Sequence, residues 1–159
     1  MKYDNSTFFS KINKLWYRKN NAENWCRITG CNLYSILNYP DQRLDQVPQL
    51  DIVQQLEKIV KDILPDIVYI HFPSDLNRDH QIAAEASLAA IRPISGHDVN
   101  PEIRAFETPS STEQAPMIEP YCFRANFYVE ICDQWKKKIL ALNSYSHEMR
   151  DYPHPRSVK

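Results

Sequence analysis

The chain has 159 residues, of which 43% are hydrophobic and 25% are charged, as is typical of one globular domain with a buried core. A formal net charge of −1, with no basic block, argues against non-specific binding to nucleic acid. Only two glycines are present, which excludes a glycine-rich phosphate cradle for a nucleotide.

The N-terminal part is predicted to be helical before and after a short strand. Apolar residues recur at helical spacing over residues 8–29, which predicts one long helix or two short ones, and Gly30 stands where a helix C-cap is expected. Residues 32–37 are a short apolar run followed by a proline-containing loop, which predicts a core strand. The clearest amphipathic pattern covers residues 52–64 and stops at Pro65, which predicts a second helix.

A strand and a third helix are predicted next. Residues 67–72 are apolar on both faces, as expected of a central strand in a parallel sheet covered by helices on each side. Residues 74–77 predict a turn, and the alanine-rich residues 78–91 predict a helix. Helix, strand and helix in this order are typical of an α/β fold. Ligand sites in such folds lie at the carboxyl ends of the strands.

The rest of the chain has weaker patterns. Residues 102–107 predict a strand, residues 108–114 a serine- and threonine-rich loop, and residues 121–128 an irregular aromatic stretch. Residues 133–145 predict a helix whose buried face is marked by Trp135, Ile139 and Leu142. No repeat or change of composition divides the sequence, so we predict a single domain. The N-terminus has no signal-peptide pattern and no segment is apolar over the ~20 residues of a membrane span, so we expect a cytoplasmic protein.

The polar loop after the predicted central strand is the best candidate for chemistry. It reads Ser74-Asp75-Leu76-Asn77-Arg78-Asp79-His80. His80 is a candidate metal ligand because neutral imidazole binds zinc well, and Asp79 is placed to orient a neighbouring group. The alternative is structural, because aspartate and asparagine are common helix caps and a histidine in a first helical turn usually has no metal.

Four blocks of sequence, in order, carry a resemblance to a known family. Residues 65–71 and 74–81 fit a pattern in which P-D-x-V and a strand precede a D-x-(H/N)-x-D-H loop. Residues 39–45 read Y-P-D-Q-R-L-D, residues 106–114 read F-E-T-P-S-S-T-E-Q, and residues 152–157 read Y-P-H-P-R-S. Together these blocks resemble the LmbE/PIG-L family of zinc-dependent N-deacetylases.

The resemblance implies a Rossmann-like three-layer α/β sandwich with a mostly parallel sheet. It also implies a zinc ion that activates water to hydrolyse an N-acetyl group, usually from an N-acetylglucosamine-type sugar or glycoconjugate. The family's third zinc ligand maps onto His80, with Asp79 as its catalytic companion. Asn77 stands where many relatives have a histidine that stabilises the oxyanion or protonates the leaving amine, and an amide cannot transfer that proton.

Two zinc ligands and the general base of the family come from an A-H-P-D-D-E motif after its first strand, and this sequence contains no such motif. We therefore expect a partial deacetylase domain that lacks the family's first strand and a further unit after Arg156. Such a chain is expected to be impaired alone, and to work with a complementing N-terminal segment or as a homo-oligomer. The alternative is a non-catalytic remnant or carbohydrate-binding module of the same fold without metal.

Nine further residues in or beside the resembling blocks are candidate sugar contacts. They are Asp41, Arg43, His71, Glu107, Ser110, Ser111, Thr112, His154 and Arg156. Each has a structural alternative. Asp41 follows a proline and is typical of a turn, and the loop over residues 107–112 is able to satisfy its own backbone. His71 is equally compatible with a hydrogen bond to a loop carbonyl, and residues 152–157 with a disordered tail.

Overall fold

The computed structural model describes residues 5–93 and 100–158. Its helices and strands are α1 (Asn5–Thr29), α2 (Gln49–Ile63), β1 (Ile67–His71), α3 (Arg78–Ile91), β2 (Glu102–Phe106) and α4 (Trp135–Leu142). Helices together with a small parallel sheet confirm the predicted α/β class. Within the described residues, none of the helices combines the length and the apolar character needed to cross a bilayer.

The chain divides into two compact units. The terminal unit consists of Met1–Asn38 and Phe127–Lys159, and the middle unit is Tyr39–Asn126. Each has its own internal packing. The single domain expected over residues 1–159 stays a prediction.

In the terminal unit, α1 ends where the sequence predicts. The amide of Gly30 donates to the carbonyl of Cys26 at 2.8 Å, and Gly30 has a φ of +81°, a conformation that favours glycine. The core strand predicted over residues 32–37 is wrong, because this segment is irregular and its apolar side chains are not buried: Leu33 is 38% exposed and Ile36 is 37% exposed. A strand needs a neighbouring strand to pair its backbone groups, and among the described residues only β1 and β2 form a sheet.

The last predicted helix is shorter than expected. Within the predicted range 133–145, only the residues of α4 are α-helical, and 3₁₀ turns flank them at Cys132–Gln134 and Asn143–Tyr145. Ala141 is fully buried, whereas Trp135 is 49% exposed, so the predicted buried position of Trp135 is wrong. Trp135 lies six positions before Ala141, which sets the two side chains about 120° apart around the helix axis.

In the middle unit, α2 and α3 pack against each other to form the core. Ile52 and Val53 of α2 contact Ile82, Ala86 and Ala90 of α3, and all five side chains are buried. This pairing follows from the amphipathic pattern of α2 and the small residues of α3, which let the two helices approach closely. Both predicted helices are confirmed.

The two strands pair in parallel, with α3 as the connection between them. The register aligns Ile67 with Glu102 and His71 with Phe106, so the carboxyl ends of both strands meet at one edge. The prediction that β1 is central and buried on both faces is wrong. Ile70 is 5% exposed, whereas Tyr69 on the opposite face is 58% exposed. Among the described residues only β2 pairs with β1, and α3 packs against the strand.

Candidate functional site

A fully buried carboxylate, Asp75, lies just past the carboxyl end of β1 and is 0% exposed. Its Oδ1 accepts the backbone amide of Asn77 at 2.7 Å and lies 3.2 Å from Nδ1 of His80. Its Oδ2 accepts the hydroxyls of Ser111 at 3.1 Å and Thr112 at 2.5 Å. Asp75 therefore joins the loop after β1 to the loop after β2.

Hydrogen bonds keep Asp75 ionised although it is buried. Burial is the largest single influence and raises the pKa of the carboxyl group. The donors together outweigh it: the Thr112 hydroxyl, the Asn77 amide and the Ser111 hydroxyl, with the charge of His80, hold the pKa of Asp75 below its ordinary value. At neutral pH this group is an acceptor on both oxygens.

The loop after β2 is folded so that two hydroxyls face Asp75. The amides of Ser111 and Thr112 both donate to the carbonyl of Thr108, at 2.8 and 2.7 Å. The Thr112 hydroxyl accepts the Thr108 amide at 2.7 Å while it donates to Asp75. Ser111 and Thr112, predicted as sugar contacts, are both buried and are engaged by this carboxylate.

His80 stacks on His71. The ring centroids are 4.0 Å apart and the planes differ by 8°, and Phe106 packs on the other side of His71 at 4.7 Å. Among the described residues, Nδ1 of His71 is buried without a hydrogen-bond partner. Burial, followed by the nearby charge of His80, lowers the pKa of His71, and Asp75 opposes this shift. His71 is therefore neutral near pH 7.

The outer nitrogen of His80 is the open position of the cluster. The His80 side chain is 21% exposed, and its Nδ1 lies near Asp75 at 3.2 Å and Ser111 at 3.4 Å. Within the part of the chain that the structure describes, no hydrogen bond involves Nε2. The sequence predicts that His80 shares one pocket with Asp79, His71 and the loop over residues 107–112, because all of them lie at strand ends. His71 and Ser111 do lie against the His80 ring. The Asp79 carboxylate instead accepts amides of the 39–45 loop.

Asp79 and Asn77 have structural contacts in the same loop. The Asn77 side-chain oxygen caps α3 by accepting the amide of Asp79 at 2.9 Å. The Asp79 carboxylate accepts the amides of Gln42 and Leu44 at 2.7 and 3.1 Å, and so holds the 39–45 loop against the start of α3. Asp79 is directed to that loop, while Asp75 contacts His80. The catalytic roles of Asn77 and Asp79 stay predictions.

Six candidate sugar contacts remain, four in the middle unit and two in the terminal unit. Asp41, Arg43 and Glu107 are exposed in the middle unit, and Ser110 is half-buried. His154 and Arg156 belong to the terminal unit. There His154 Nδ1 accepts the Arg156 amide at 3.0 Å, and the Arg156 guanidinium pairs with Glu148 at 2.7 Å. Local contacts therefore hold this segment, and its role in sugar binding stays a prediction.

Asp75 is the site residue that sequence reasoning missed. It stands in the D-x-(H/N)-x-D-H loop, but the sequence does not mark which of the two aspartates is buried. One usable signal is the spacing of Asp75 and Asn77, which allows an aspartate to accept the amide two residues on. A second signal is the Ser-Ser-Thr run, whose hydroxyls need an acceptor if the loop is buried.

The donor set fits one zinc ligand position. His80 offers an imidazole whose Nδ1 faces a carboxylate, the usual arrangement of a zinc-bound histidine. Catalytic zinc normally has three protein ligands, and the described residues contain no group of three or more His, Cys, Asp or Glu side chains placed to hold a metal. These residues therefore do not by themselves form a complete zinc site.

Comparison with family models gives a match over the part of the chain that contains this cluster. The model described as "PIG-L: GlcNAc-PI de-N-acetylase" matches residues 2–91, which include β1, the loop with Asp75 and His80, and α3. The block at residues 106–114, with Ser111 and Thr112, lies outside the match. Searches of curated proteins and of solved structures gave no match.

Proposed function

Because the chain belongs to the PIG-L family, we propose that it takes part in hydrolysing an N-acetyl group from an N-acetylglucosamine-type sugar or glycoconjugate. The observation that supports this proposal most is the environment of the His80 ring. Its Nδ1 faces the buried Asp75 carboxylate, and its Nε2 side is partly exposed at the carboxyl end of the sheet. That is where ligands bind in α/β folds.

We further propose that the middle unit is part of a Rossmann-like three-layer sandwich. The support is the β1–α3–β2 unit, whose strands pair in parallel and whose helix packs on β1. The packing of α2 on α3 extends the same helical layer.

In this proposal His80 supplies one zinc ligand through Nε2. Zinc, when bound, supplies an activated water and polarises the amide carbonyl. The remaining ligands and the general base come from a complementing segment that carries an A-H-P-D-D-E motif, or further ligands come from an oligomer of the chain. Without that complement, the chain neither holds zinc tightly nor releases acetate.

The chain's own residues bind and orient the substrate in this scheme. The Asn77 amide group is able to donate a hydrogen bond to a developing oxyanion but not to supply a proton. Glu107 and Ser110, beside the cluster, offer acceptors and donors for sugar hydroxyls, as do the exposed Asp41 and Arg43. His71 fixes the His80 ring by stacking on it.

The second candidate is a carbohydrate-binding module of the same fold that has no metal. One observation favours it: the Asp79 carboxylate, expected to act beside His80, accepts two backbone amides of the 39–45 loop. In that case the polar loops at the strand ends bind sugar, and His80 contributes only a hydrogen bond.

Acetate release separates the two candidates. The purified chain is incubated with zinc and N-acetylglucosamine derivatives, with and without a peptide covering a relative's first strand and A-H-P-D-D-E motif. We expect release only with the peptide, and its loss in His80→Gln. The matched control is His147→Gln, which removes an exposed histidine of the terminal unit and should leave release unchanged. Sugar binding without release under every condition would favour the binding module.

A further inference from the structure

We infer that Asp75 is the positioning residue of His80: it keeps the proton on Nδ1 and so leaves the Nε2 lone pair free to face outward. The importance of this orientation rests on the proposed function, in which Nε2 binds zinc. The orientation itself follows from contacts within the chain.

The hydrogen-bond partners of Nδ1 determine which ring nitrogen carries the proton. A neutral imidazole has one N–H, and an ionised carboxylate can only accept. Asp75 Oδ1 lies 3.2 Å from Nδ1, so this contact is satisfied only by Nδ1–H. The Ser111 hydroxyl, 3.4 Å from Nδ1, donates its single proton to Asp75 Oδ2 at 3.1 Å. Its oxygen therefore also presents an acceptor to Nδ1, and both neighbours require the same tautomer.

Asp75 is itself fixed. A buried carboxylate is costly unless hydrogen-bond donors surround it, and here the Asn77 amide and the Ser111 and Thr112 hydroxyls supply them. Thr112 is in turn held by the Thr108 amide. The carboxylate cannot turn away from His80 without losing these bonds.

The His80 ring is also restrained from its face. His71 covers it in a parallel stack at 4.0 Å, so the ring has little freedom to turn over and exchange its two nitrogens. Asp75 fixes the edge of the ring and His71 fixes its plane. Together they set the direction in which Nε2 points.

The test is the tautomer of His80 in the metal-free chain, read at neutral pH from two-bond ¹⁵N–¹H correlations of the histidine rings. His80→Gln assigns the His80 signals by their loss. We expect the wild-type chain to carry the proton on Nδ1. A proton on Nε2 in the wild-type chain overturns the inference without any further variant.

Three variants separate positioning from simple packing. Asp75→Ala should shift His80 to a tautomer mixture, because the acceptor is gone. Asp75→Asn should retain the Nδ1–H form, because the amide oxygen still accepts from Nδ1–H and the hydroxyls can rotate to accept from the amide nitrogen. Ser111→Ala should also retain it. If Ser111→Ala loses the tautomer and Asp75→Ala keeps it, Ser111 is the positioning residue and the inference is wrong.

The inference and the proposed function fail in different ways. Nδ1–H on His80 with no acetate release, even with the complementing peptide, rejects the function and keeps the inference. Acetate release, together with a proton on Nε2 of His80 in the metal-free chain, supports the proposed function and rejects the inference. If Asp75→Ala does not fold, the wild-type, Asp75→Asn and Ser111→Ala spectra still decide, because each has a required result.

Discussion

Thr112→Val removes one hydroxyl that links the two loops of the site and nearly preserves the shape of the side chain. The wild-type hydroxyl donates to the buried Asp75 carboxylate at 2.5 Å and accepts the Thr108 amide at 2.7 Å. A hydrogen bond to a charged group contributes about 1.5–3 kcal/mol, and a part-buried amide left without a partner adds about 1 kcal/mol. We therefore expect Thr112→Val to lower the free energy of unfolding by about 3 kcal/mol.

The assay is urea denaturation of the metal-free chain at neutral pH, followed by circular dichroism. The matched control is Ser87→Ala, also in the middle unit, where the hydroxyl donates to the neutral carbonyl of Ala83 within α3. Its loss should change the free energy of unfolding by less than about 0.5 kcal/mol, because alanine is the better helix former. If Thr112→Val lowers the free energy of unfolding no more than Ser87→Ala does, the hydrogen bond to Asp75 does not stabilise the fold and the reasoning is refuted.

Three other predictions follow from single contacts. Asp79→Ala frees the amides of Gln42 and Leu44, so trypsin should cleave after Arg43 faster than in the wild-type chain, and the free energy of unfolding should fall by about 2 kcal/mol. Because the folded-state pKa of Asp75 is below its ordinary value of 3.8, the unfolded chain binds more protons in acid, so stability should fall as the pH drops below about 4. When urea denaturation is measured at a series of pH values, the free energy of unfolding of Asp75→Asn should fall less in acid than that of the wild-type chain. Gly30→Ala meets no neighbouring atom but strains a φ of +81°, so thermal melting should show a loss of about 1 kcal/mol with the His80 signals unchanged.

The sequence predicts the middle unit well where the signal is local. The bounds of α3 agree with the alanine-rich segment to the residue, and α2 (Gln49–Ile63) ends within one residue of the predicted end at residue 64. The parallel pairing of β1 and β2 follows from one helix between two apolar segments. The meeting of His71 and His80 then follows from the rule that polar loops gather at strand ends.

Features that depend on distant partners could not be predicted. An apolar strand indicates burial, but only the neighbouring layers decide how many faces are covered, so Tyr69 is exposed where both faces were expected to be buried. The same applies to the run at residues 32–37, which is apolar but does not form a strand in the part of the chain that the structure describes.

Which of Asp75 and Asp79 contacts His80 also depends on residues that are distant in the sequence. Both aspartates stand in the same short loop, and the motif favours Asp79 as the companion of His80. Contacts with residues more than 30 positions away decide otherwise: Ser111 and Thr112 surround Asp75, whereas Gln42 and Leu44 bind Asp79. No local pattern carries that information.

The zinc content of the chain after dialysis tests most directly whether His80 is one ligand of a site that needs a complement. It is measured for the wild-type chain and for His80→Gln, each alone and with the A-H-P-D-D-E peptide. We predict far less than one zinc per chain for either protein alone, about one per wild-type chain with the peptide, and no gain for His80→Gln. One zinc bound tightly by the unaided wild-type chain, or equal zinc in His80→Gln with the peptide, would contradict the assignment of His80.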